Sequence, residues 1–192
     1  MGPLSVGYCL CGSFCTLGQS IAVLQTLAEK AYDLHPIMSE ITYSTDTRFG
    51  RCQDIRERVE AICGRPVLHT IPQVEPIGPR AYLDVLVVAP CTGNTLGKLA
   101  GGIYDTSVTL AVKAQLRNHR PVALAVATND GLGNSAQNIG RLMAVRGLYF
   151  VPMAQDDPVG KPESLVADFG RIEDTLCAAL AGRQLQPVYF CR

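Results

Sequence analysis

Four short turns in this chain concentrate hydroxyls, amides and glycines, and none of them holds a lysine or arginine. They are Cys11-Gly-Ser-Phe-Cys-Thr16, the single hydroxyl Ser39, Pro90-Cys-Thr-Gly-Asn-Thr95, and Thr128-Asn-Asp-Gly131. Each follows an apolar run and most open a helical pattern. Small polar residues at such a place let a ligand approach the backbone, and a new helix offers unpaired N–H groups and the positive end of its dipole. That combination suits a phosphate or a planar cofactor. Each hydrogen bond or dipole contact of this kind contributes about 0.3–2 kcal/mol. Ser, Thr and Asn are also what ordinary helix caps prefer, so the turns read equally as caps of common βα units.

Two further segments carry candidate chemistry. Thr42-Tyr-Ser-Thr-Asp-Thr-Arg-Phe-Gly50 combines an acid and a base with three threonines. Arg48 could offer a fork to a carboxylate, and Asp46 could orient it or move a proton; a plain surface loop with a local Asp46–Arg48 pair is the other reading. Gln155-Asp-Asp-Pro-Val-Gly-Lys-Pro162 reads as a rigid loop at an interface or at the edge of a site.

Other chemistries lack their residues. GYCLCGSFC is not GxGxxG, and GxxxxGK[ST] is absent. His35, His69 and His119 have no convincing nucleophile partner by position. Cys9-x-Cys11-x3-Cys15 is not a zinc spacing and has no histidine nearby, so no metal site is expected.

These turns are positioned by strand-like runs that alternate with helical patterns along the whole chain. Strands are expected at 4–10, 34–38, 66–69, 84–89, 121–127 and 148–152. Pro90, without an N–H, should stop the fourth. Helices are expected at 18–32, 51–63, 94–101, 106–117, 135–146 and 163–182, with Gly64 closing the second. Pro72, Pro76, Gly78 and Pro79 make 70–82 a loop. The alternation predicts an α/β fold, a three-layer α/β/α sandwich on a mainly parallel Rossmann-like or flavodoxin-like sheet. In such a sheet ligands bind beyond the carboxyl ends of the strands.

The 192 residues suit a single domain, 1–192, with a C-terminal tail from about 183 that could pack on another protomer or stay mobile. With 47% hydrophobic and 18% charged residues the chain is globular, and 17 basic against 17 acidic side chains give no reason to expect nucleic acid or an anionic membrane. No run is long enough to span a membrane, and the N-terminus does not read as a signal peptide. Cys9, Cys11 and Cys91 on apolar strands, with Cys177 in an apolar helix, read as reduced thiols, which suits the cytoplasm. The weakly charged helix at 105–117 and the Gly101-Gly102 junction suggest a face packed against another copy.

With these residues in hand, the chain resembles the flavoprotein family of flavin-dependent cysteine decarboxylases and flavin prenyltransferases. Ala89-Pro-Cys-Thr-Gly-Asn-Thr95 is similar to that family's Pro-Ala-Ser-Ala-Asn motif, and Gly-Lys-Leu-Ala-Gly-Gly-Ile-Tyr-Asp105 continues it. The resemblance implies FMN as cofactor, held by Gly12, Ser13, Ser39, Pro90, Thr92, Gly93 and Asn94, with Thr128 and Asn129 at the neighbouring turn. Cys91 and Gly93 depart from the motif. By register, the decarboxylases' catalytic histidine falls on Pro76, and their Pro-x-Met-Asn loop is replaced around Thr128–Asp130, so cysteine decarboxylation is not expected.

Thr45-Asp-Thr-Arg-Phe-Gly50, Val74-Glu-Pro-Ile-Gly-Pro79, Arg117-Asn118, Arg120-Pro121, Thr128-Asn-Asp130 and Gln155-Asp-Asp-Pro158 resemble instead the family branch formed by the B subunits of bacterial dipicolinate synthases. That likeness implies one component of an oxidoreductase in the mother-cell cytoplasm of a sporulating bacterium. It implies an A subunit carrying NADP(H), a small dicarboxylate substrate, and assembly as trimers or their multiples. Asp46 and Arg48 are then the candidate catalytic residues, and Arg48 and Arg117 the candidate carboxylate binders. A stand-alone FMN-dependent decarboxylase or prenyltransferase-like enzyme and a non-catalytic scaffold are the alternatives.

Overall fold

The computed structural model describes residues 2–191. Strand β1 (Ser5–Leu10) leads into helix α1 (Phe14–Glu29), then β2 (Asp33–Met38), α2 (Glu40–Ser44) and α3 (Cys52–Cys63). Two single-turn helices, α4 (Ile71–Val74) and α5 (Ile77–Arg80), precede β3 (Val85–Cys91), α6 (Gly93–Ala100), α7 (Ser107–Arg117) and β4 (Val122–Thr128). Helix α8 (Ser135–Met143), β5 (Leu148–Phe150), the hairpin β6 (Met153–Asp157) and β7 (Lys161–Ala167), a 3-10 turn (Phe169–Arg171) and α9 (Ile172–Leu180) complete the order.

The strands form one seven-stranded sheet in the order β2-β1-β3-β4-β7-β6, with β5 also paired to β4. β2, β1, β3, β4 and β5 pair in parallel, while β7 runs antiparallel to both β4 and β6. Helices flank this sheet: α1 packs on β1–β3, α7 on β2–β4, and α9 on β3–β5. This is the expected flavodoxin-like α/β/α arrangement. All seven residues of β3 are buried, as are Val122–Ala127 of β4. Continuous burial explains why these strands are unbroken apolar runs rather than alternating ones. Each fully buried Val or Leu there contributes about 1.5–3 kcal/mol. A rigid centre of this kind holds the loops at its carboxyl edge.

Local chemistry accounts for where the elements differ from the sequence expectation. Pro90 does not end β3. Its missing N–H interrupts the ladder with β4, the register shifts between Val88 and Cys91, and pairing resumes at Cys91–Val126. Residues 66–69 give a single bridge, Leu68 with Ile37, not a strand. The 70–82 loop contains the two helical turns, the first opened by the Gln73 side-chain oxygen accepting from Thr70 N–H at 3.0 Å. Helix α1 starts at Phe14 rather than 18, because Ser13 already takes the N-cap position. Helix α8 ends at Met143, short of 146. Residues 163–167 belong to β7, and only Ile172–Leu180 of the expected 163–182 helix is α-helical. Gly64 does close α3, in the left-handed conformation.

The segment after Gly182 packs on its own sheet. The Gln184 amide pairs with both the N–H and the C=O of Phe150, and the Met153 and Phe190 N–H groups bond across to Val188 and Met153 carbonyls. The apolar face of α7 is likewise used within the chain: Val108, Ala111, Val112 and Ala114 are buried, and Gln115 donates to the Leu83 carbonyl at 3.1 Å. That helix therefore gives no argument for a packed face against another copy. Cys9, Cys11 and Cys91 are buried free thiols, whereas Cys177 is exposed rather than inside an apolar helix core.

Candidate functional site

The carboxyl edge of the parallel strands opens onto a cleft of about 1220 Å³. The turn after β1 forms one side. Ser13 N–H bonds the Cys11 carbonyl at 2.9 Å, and the Thr16 hydroxyl lies 3.0 Å from the Ser13 carbonyl and 2.9 Å from its hydroxyl. No side chain caps α1, although Ser13 stands at its N-cap. Phe14, Cys15 and Thr16 of this 16-residue helix line the cleft; no side chain accepts from the first-turn N–H groups, and Thr16 N–H bonds the Ser13 carbonyl at 3.1 Å.

The turn after β3 is built differently. Thr92 caps α6 by accepting from Thr95 N–H at 3.3 Å. Thr95 in turn donates its hydroxyl to the Cys11 sulfur at 3.4 Å and so ties this turn to the first. Burial pushes the Cys11 thiol up to about 11, which keeps it a protonated, neutral neighbour. A side chain at Gly93 would meet the Thr128 hydroxyl at 2.7 Å, the Ser135 hydroxyl at 2.9 Å and an Asp130 carboxylate oxygen at 3.0 Å. The space left by glycine is therefore filled by the chain itself.

Asp130, in the turn after β4, is the centre of that cluster. Its Oδ1 accepts from the Thr128 hydroxyl and, at 2.8 Å, from the Ser135 hydroxyl. These two donors, Thr128 first, hold its carboxyl below the usual carboxylate range, so it is ionised near neutrality. Its charge lies against the first turn of α6, where a helix dipole favours an anion.

Cations reach the same cleft from three other segments. Arg48 comes from the loop after α2, its guanidinium 4.9 Å from the Phe49 ring centroid. Lys98 of α6 pairs with Asp105 at 2.7 Å, and Lys161 of β7 with Asp156 at 2.8 Å. The β6–β7 hairpin thus forms a wall of the cleft, which is where Gln155–Pro162 lies.

Of the residues singled out from sequence, the structure brings together Gly12, Ser13, Thr92, Gly93, Asn94, Thr128, Asn129 and Arg48 on this cleft. Four lie elsewhere. Ser39 caps α2, accepting from Thr42 N–H at 3.4 Å and sharing a hydrogen bond with the Thr42 hydroxyl. Pro90 is buried within β3. Asp46 accepts from Cys52 N–H at 2.8 Å at the start of α3, so its fixed partner is the backbone and not Arg48. Arg117 is a correction: it ends α7 and packs on Gly78, beside the Asn118 bond to the Gly78 carbonyl. Helix α7 returns to the amino ends of the strands, which puts Arg117 at the opposite end of the sheet from the cleft.

Sequence reasoning gave no role to Asp130 or Ser135, nor to Lys98 or Lys161, although Asp130 and Lys161 lie in segments it singled out. Thr128-x-Asp130 with a serine five residues on was the available signal for the first two. The histidines stay out of the cleft. His35 bonds Asp33 at 2.9 Å at the amino ends of β1 and β2, and burial lowers its pKa. His69 stacks on Tyr43 with ring centroids 3.5 Å apart.

This arrangement, a parallel sheet with hydroxyl and amide turns at its carboxyl edge, is shared with known proteins. The Flavoprotein family model matches residues 2–178. The chain belongs to the Flavoprotein family. It is 38% identical over 183 residues to the B subunit of dipicolinate synthase from Bacillus subtilis, covering 95% of this chain and 92% of that one. The crystal structure of the dipicolinate synthase B subunit from Bacillus halodurans superimposes with a TM-score of 0.90 at 38% identity over the full length of both chains. Within the Flavoprotein family the chain thus groups with the dipicolinate synthase B subunits. A dodecameric FMN-dependent Ubix-like decarboxylase from Escherichia coli O157:H7 shares the fold at 21% identity, with a TM-score of 0.64 over 78% of this chain and 80% of that one. Among the described residues no helix is long and apolar enough to cross a membrane, and no group of His, Cys, Asp and Glu is placed to hold a metal ion.

Proposed function

We propose that this chain is the B subunit of a dipicolinate synthase, providing the cleft in which pyridine-2,6-dicarboxylate is formed from a dihydro- or tetrahydrodipicolinate precursor in a sporulating mother cell. Forming the aromatic ring removes a hydride and a proton from the dihydro compound, and two of each, with two acceptors, from the tetrahydro compound. The hydride acceptor in this reading is NADP on the A subunit. The observation that carries the proposal is the convergence of Arg48, Lys98 and Lys161, from three separate segments, on a cleft lined also by hydroxyls and amides, by Asp130 and Asp156, and by the apolar Phe14, Phe49, Ile103 and Val166. Lys98 and Lys161 are paired with Asp105 and Asp156, so Arg48, whose guanidinium lies over the Phe49 ring, is the cation best placed to take a substrate carboxylate. Pro76 supports the same reading. It lies between α4 and α5, where the decarboxylases' histidine falls by register, and has no exchangeable proton.

The residues present also fit FMN. The α1 first turn lacks a side-chain cap, the Ser13 and Thr16 hydroxyls stand at it, and the cleft exceeds the roughly 300–1,000 Å³ of most small-molecule sites. Ser13, Thr16 and the α1 N–H groups would hold the phosphate, with Gly12, Asn94 and Asn129 on the ring's polar edge. FMN, when bound, supplies two-electron redox chemistry. The chain's own groups would act around it: Phe49 and Ile103, half-exposed at the rim, would shield the site from water, Arg48 and Lys161 would bind carboxylates, and the Asn94 and Asn129 amides would hydrogen-bond the cofactor. We place the assembly as a trimer or a multiple of trimers, in keeping with the dodecameric relative.

Purification with and without the NADP-binding A subunit tests the reading. Dipicolinate should form only when both are present, and light scattering should give a mass above that of one chain. Dipicolinate made equally well by the A subunit alone, or decarboxylation of a peptidyl cysteine by this chain alone, would overturn it. Arg48→Ala should weaken dicarboxylate binding about tenfold, while Arg117→Ala should leave it unchanged.

A further inference from the structure

The loop that brings Arg48 to the cleft is built as a short arm, closed at three levels. It joins α2, which ends at Ser44, to α3, which starts at Cys52. At the tip, Thr47 and Gly50 exchange backbone hydrogen bonds at 3.0 and 3.1 Å, with Arg48 and Phe49 between them. Gly50, at φ 143°, supplies the backbone conformation that closes this turn. One step back, the Asp46 carboxylate accepts from Cys52 N–H at 2.8 Å. At the base, the Arg56 guanidinium of α3 lies over the Tyr43 ring of α2, 4.4 Å from its centroid. The His69 ring stacks on the same tyrosine, with centroids 3.5 Å apart and planes 4° from parallel. Rings that close leave no room between them, so the guanidinium takes the other face and Tyr43 is sandwiched. His69 is in turn tied to the sheet. Leu68 N–H bonds the Pro36 carbonyl at 3.0 Å, Met38 N–H bonds the Leu68 carbonyl at 2.9 Å, and the Gln73 side chain accepts from His69 N–H at 2.9 Å. The buried Nδ1 of His69 has no hydrogen-bond partner among the described residues. A buried nitrogen is seldom left so, and here the ring is held by its stack rather than by a bond to that atom.

Resting on the reading above in which Arg48 takes a carboxylate, we propose that Tyr43, Arg56 and His69 are positioning residues for Arg48. Their stack anchors the arm to the β2 edge of the sheet and so sets how far the guanidinium reaches over the cleft. Arg48 is exposed, and among the described residues its side chain has only the Phe49 ring as a neighbour that could aim it. Its placement therefore depends on the backbone that carries it. A side chain whose backbone is already fixed loses less freedom on taking a carboxylate, and a two-point fork tolerates little displacement. None of the three stacked residues lines the cleft, so they act on a ligand only through Arg48.

A double-mutant cycle read by calorimetric titration with pyridine-2,6-dicarboxylate tests the assignment, on the full chain and on its complex with the A subunit. Tyr43→Ala and Arg56→Ala should each weaken binding at least about threefold. In an Arg48→Ala background the same changes should cost less than about 1.5-fold more, because the group they position is gone. Tyr43→Phe and His69→Phe keep flat rings for the stack and should bind within about 1.5-fold of the parent. Hydrogen exchange at the Thr47 and Gly50 N–H groups gives a readout without ligand: it should be faster in Tyr43→Ala and parent-like in Tyr43→Phe. Equal losses with and without Arg48 would show a general structural role and overturn the proposal, as would unchanged exchange at the tip. If Tyr43→Ala does not fold, the Arg56→Ala limb of the cycle decides by the same criterion. If the parent binds no dicarboxylate, or Arg48→Ala binds it as the parent does, the dicarboxylate reading falls and this inference with it. If Arg48→Ala weakens binding and neither Tyr43→Ala nor Arg56→Ala does, only the role of the stack falls.

Discussion

Two helices start on the same cleft and treat their N-termini in opposite ways. At α1 the N-cap serine makes no side-chain cap, and hydroxyls of Ser13 and Thr16 stand beside uncapped N–H groups. At α6 the Thr92 hydroxyl caps the helix, and the Asp130 carboxylate, held by Thr128 and Ser135, lies against the first turn. The chain has placed its own anion where a helix dipole would attract one, and has left the other mouth open. A fold with several βα turns thus does not have equivalent anion sites. Which turn is available depends on what the next loop along the sheet brings to it.

The largest expected effect separates two glycines. Gly93→Ala puts a methyl within 2.7–3.0 Å of three polar oxygens of the Asp130 cluster. It should cost about 1–3 kcal/mol, seen as a fall in melting temperature of roughly 2–4 °C per kcal/mol. Gly12→Ala meets only the Ile41 methyl at 3.3 Å and the Phe14 ring at 3.4 Å, so stability should change little. Equal losses in the two variants would remove the contrast between the mouths.

A smaller effect sharpens it. Thr92→Val keeps the shape of the cap residue and removes its acceptor, costing about 1 kcal/mol in denaturant unfolding. Ser13→Ala removes no cap from α1, and Thr16 keeps the Ser13 carbonyl as acceptor at 3.0 Å. Its stability should stay within about 0.5 kcal/mol of the parent, while FMN affinity falls. A matching stability loss would show that Ser13 caps its helix after all.

The smallest effect concerns acid. Hydroxyl donors lower the Asp130 pKa in the folded state, so its stabilisation is present above the unfolded value of about 4 and is lost as pH falls through the folded value. The stability difference between the parent and Asp130→Asn should therefore shrink from pH 7 to pH 3 in urea unfolding. A difference that stays constant would mean that the charge adds nothing to the fold.

Much of this is legible in the sequence, for physical reasons. The buried strands read as valine-rich runs, and their order fixes which turns meet at the carboxyl edge, so Gly12, Ser13, Thr92, Gly93, Asn94, Thr128 and Asn129 can be grouped from the residues alone. The β6–β7 hairpin cannot be read. Leu165-Val-Ala167 is too short an apolar run for periodicity to separate strand from helix, and it merges with the helical pattern of α9. Arg117 is suggested only by the likeness of its string. A residue in the last turn of a crossover helix belongs at the amino ends of a parallel sheet, and topology excludes it. The use of the Gly93 space is hidden because Thr128, Asp130 and Ser135 lie more than thirty residues away along the chain.

Which helix mouth takes an anion is measured directly by a crystal structure of the protein grown with FMN. The phosphate is predicted within hydrogen-bond reach of the Ser13 and Thr16 hydroxyls and the first N–H groups of α1, with the Asp130 cluster unmoved. A phosphate seated against Gly93 and Asn94 at the start of α6, with Asp130 displaced, would contradict it.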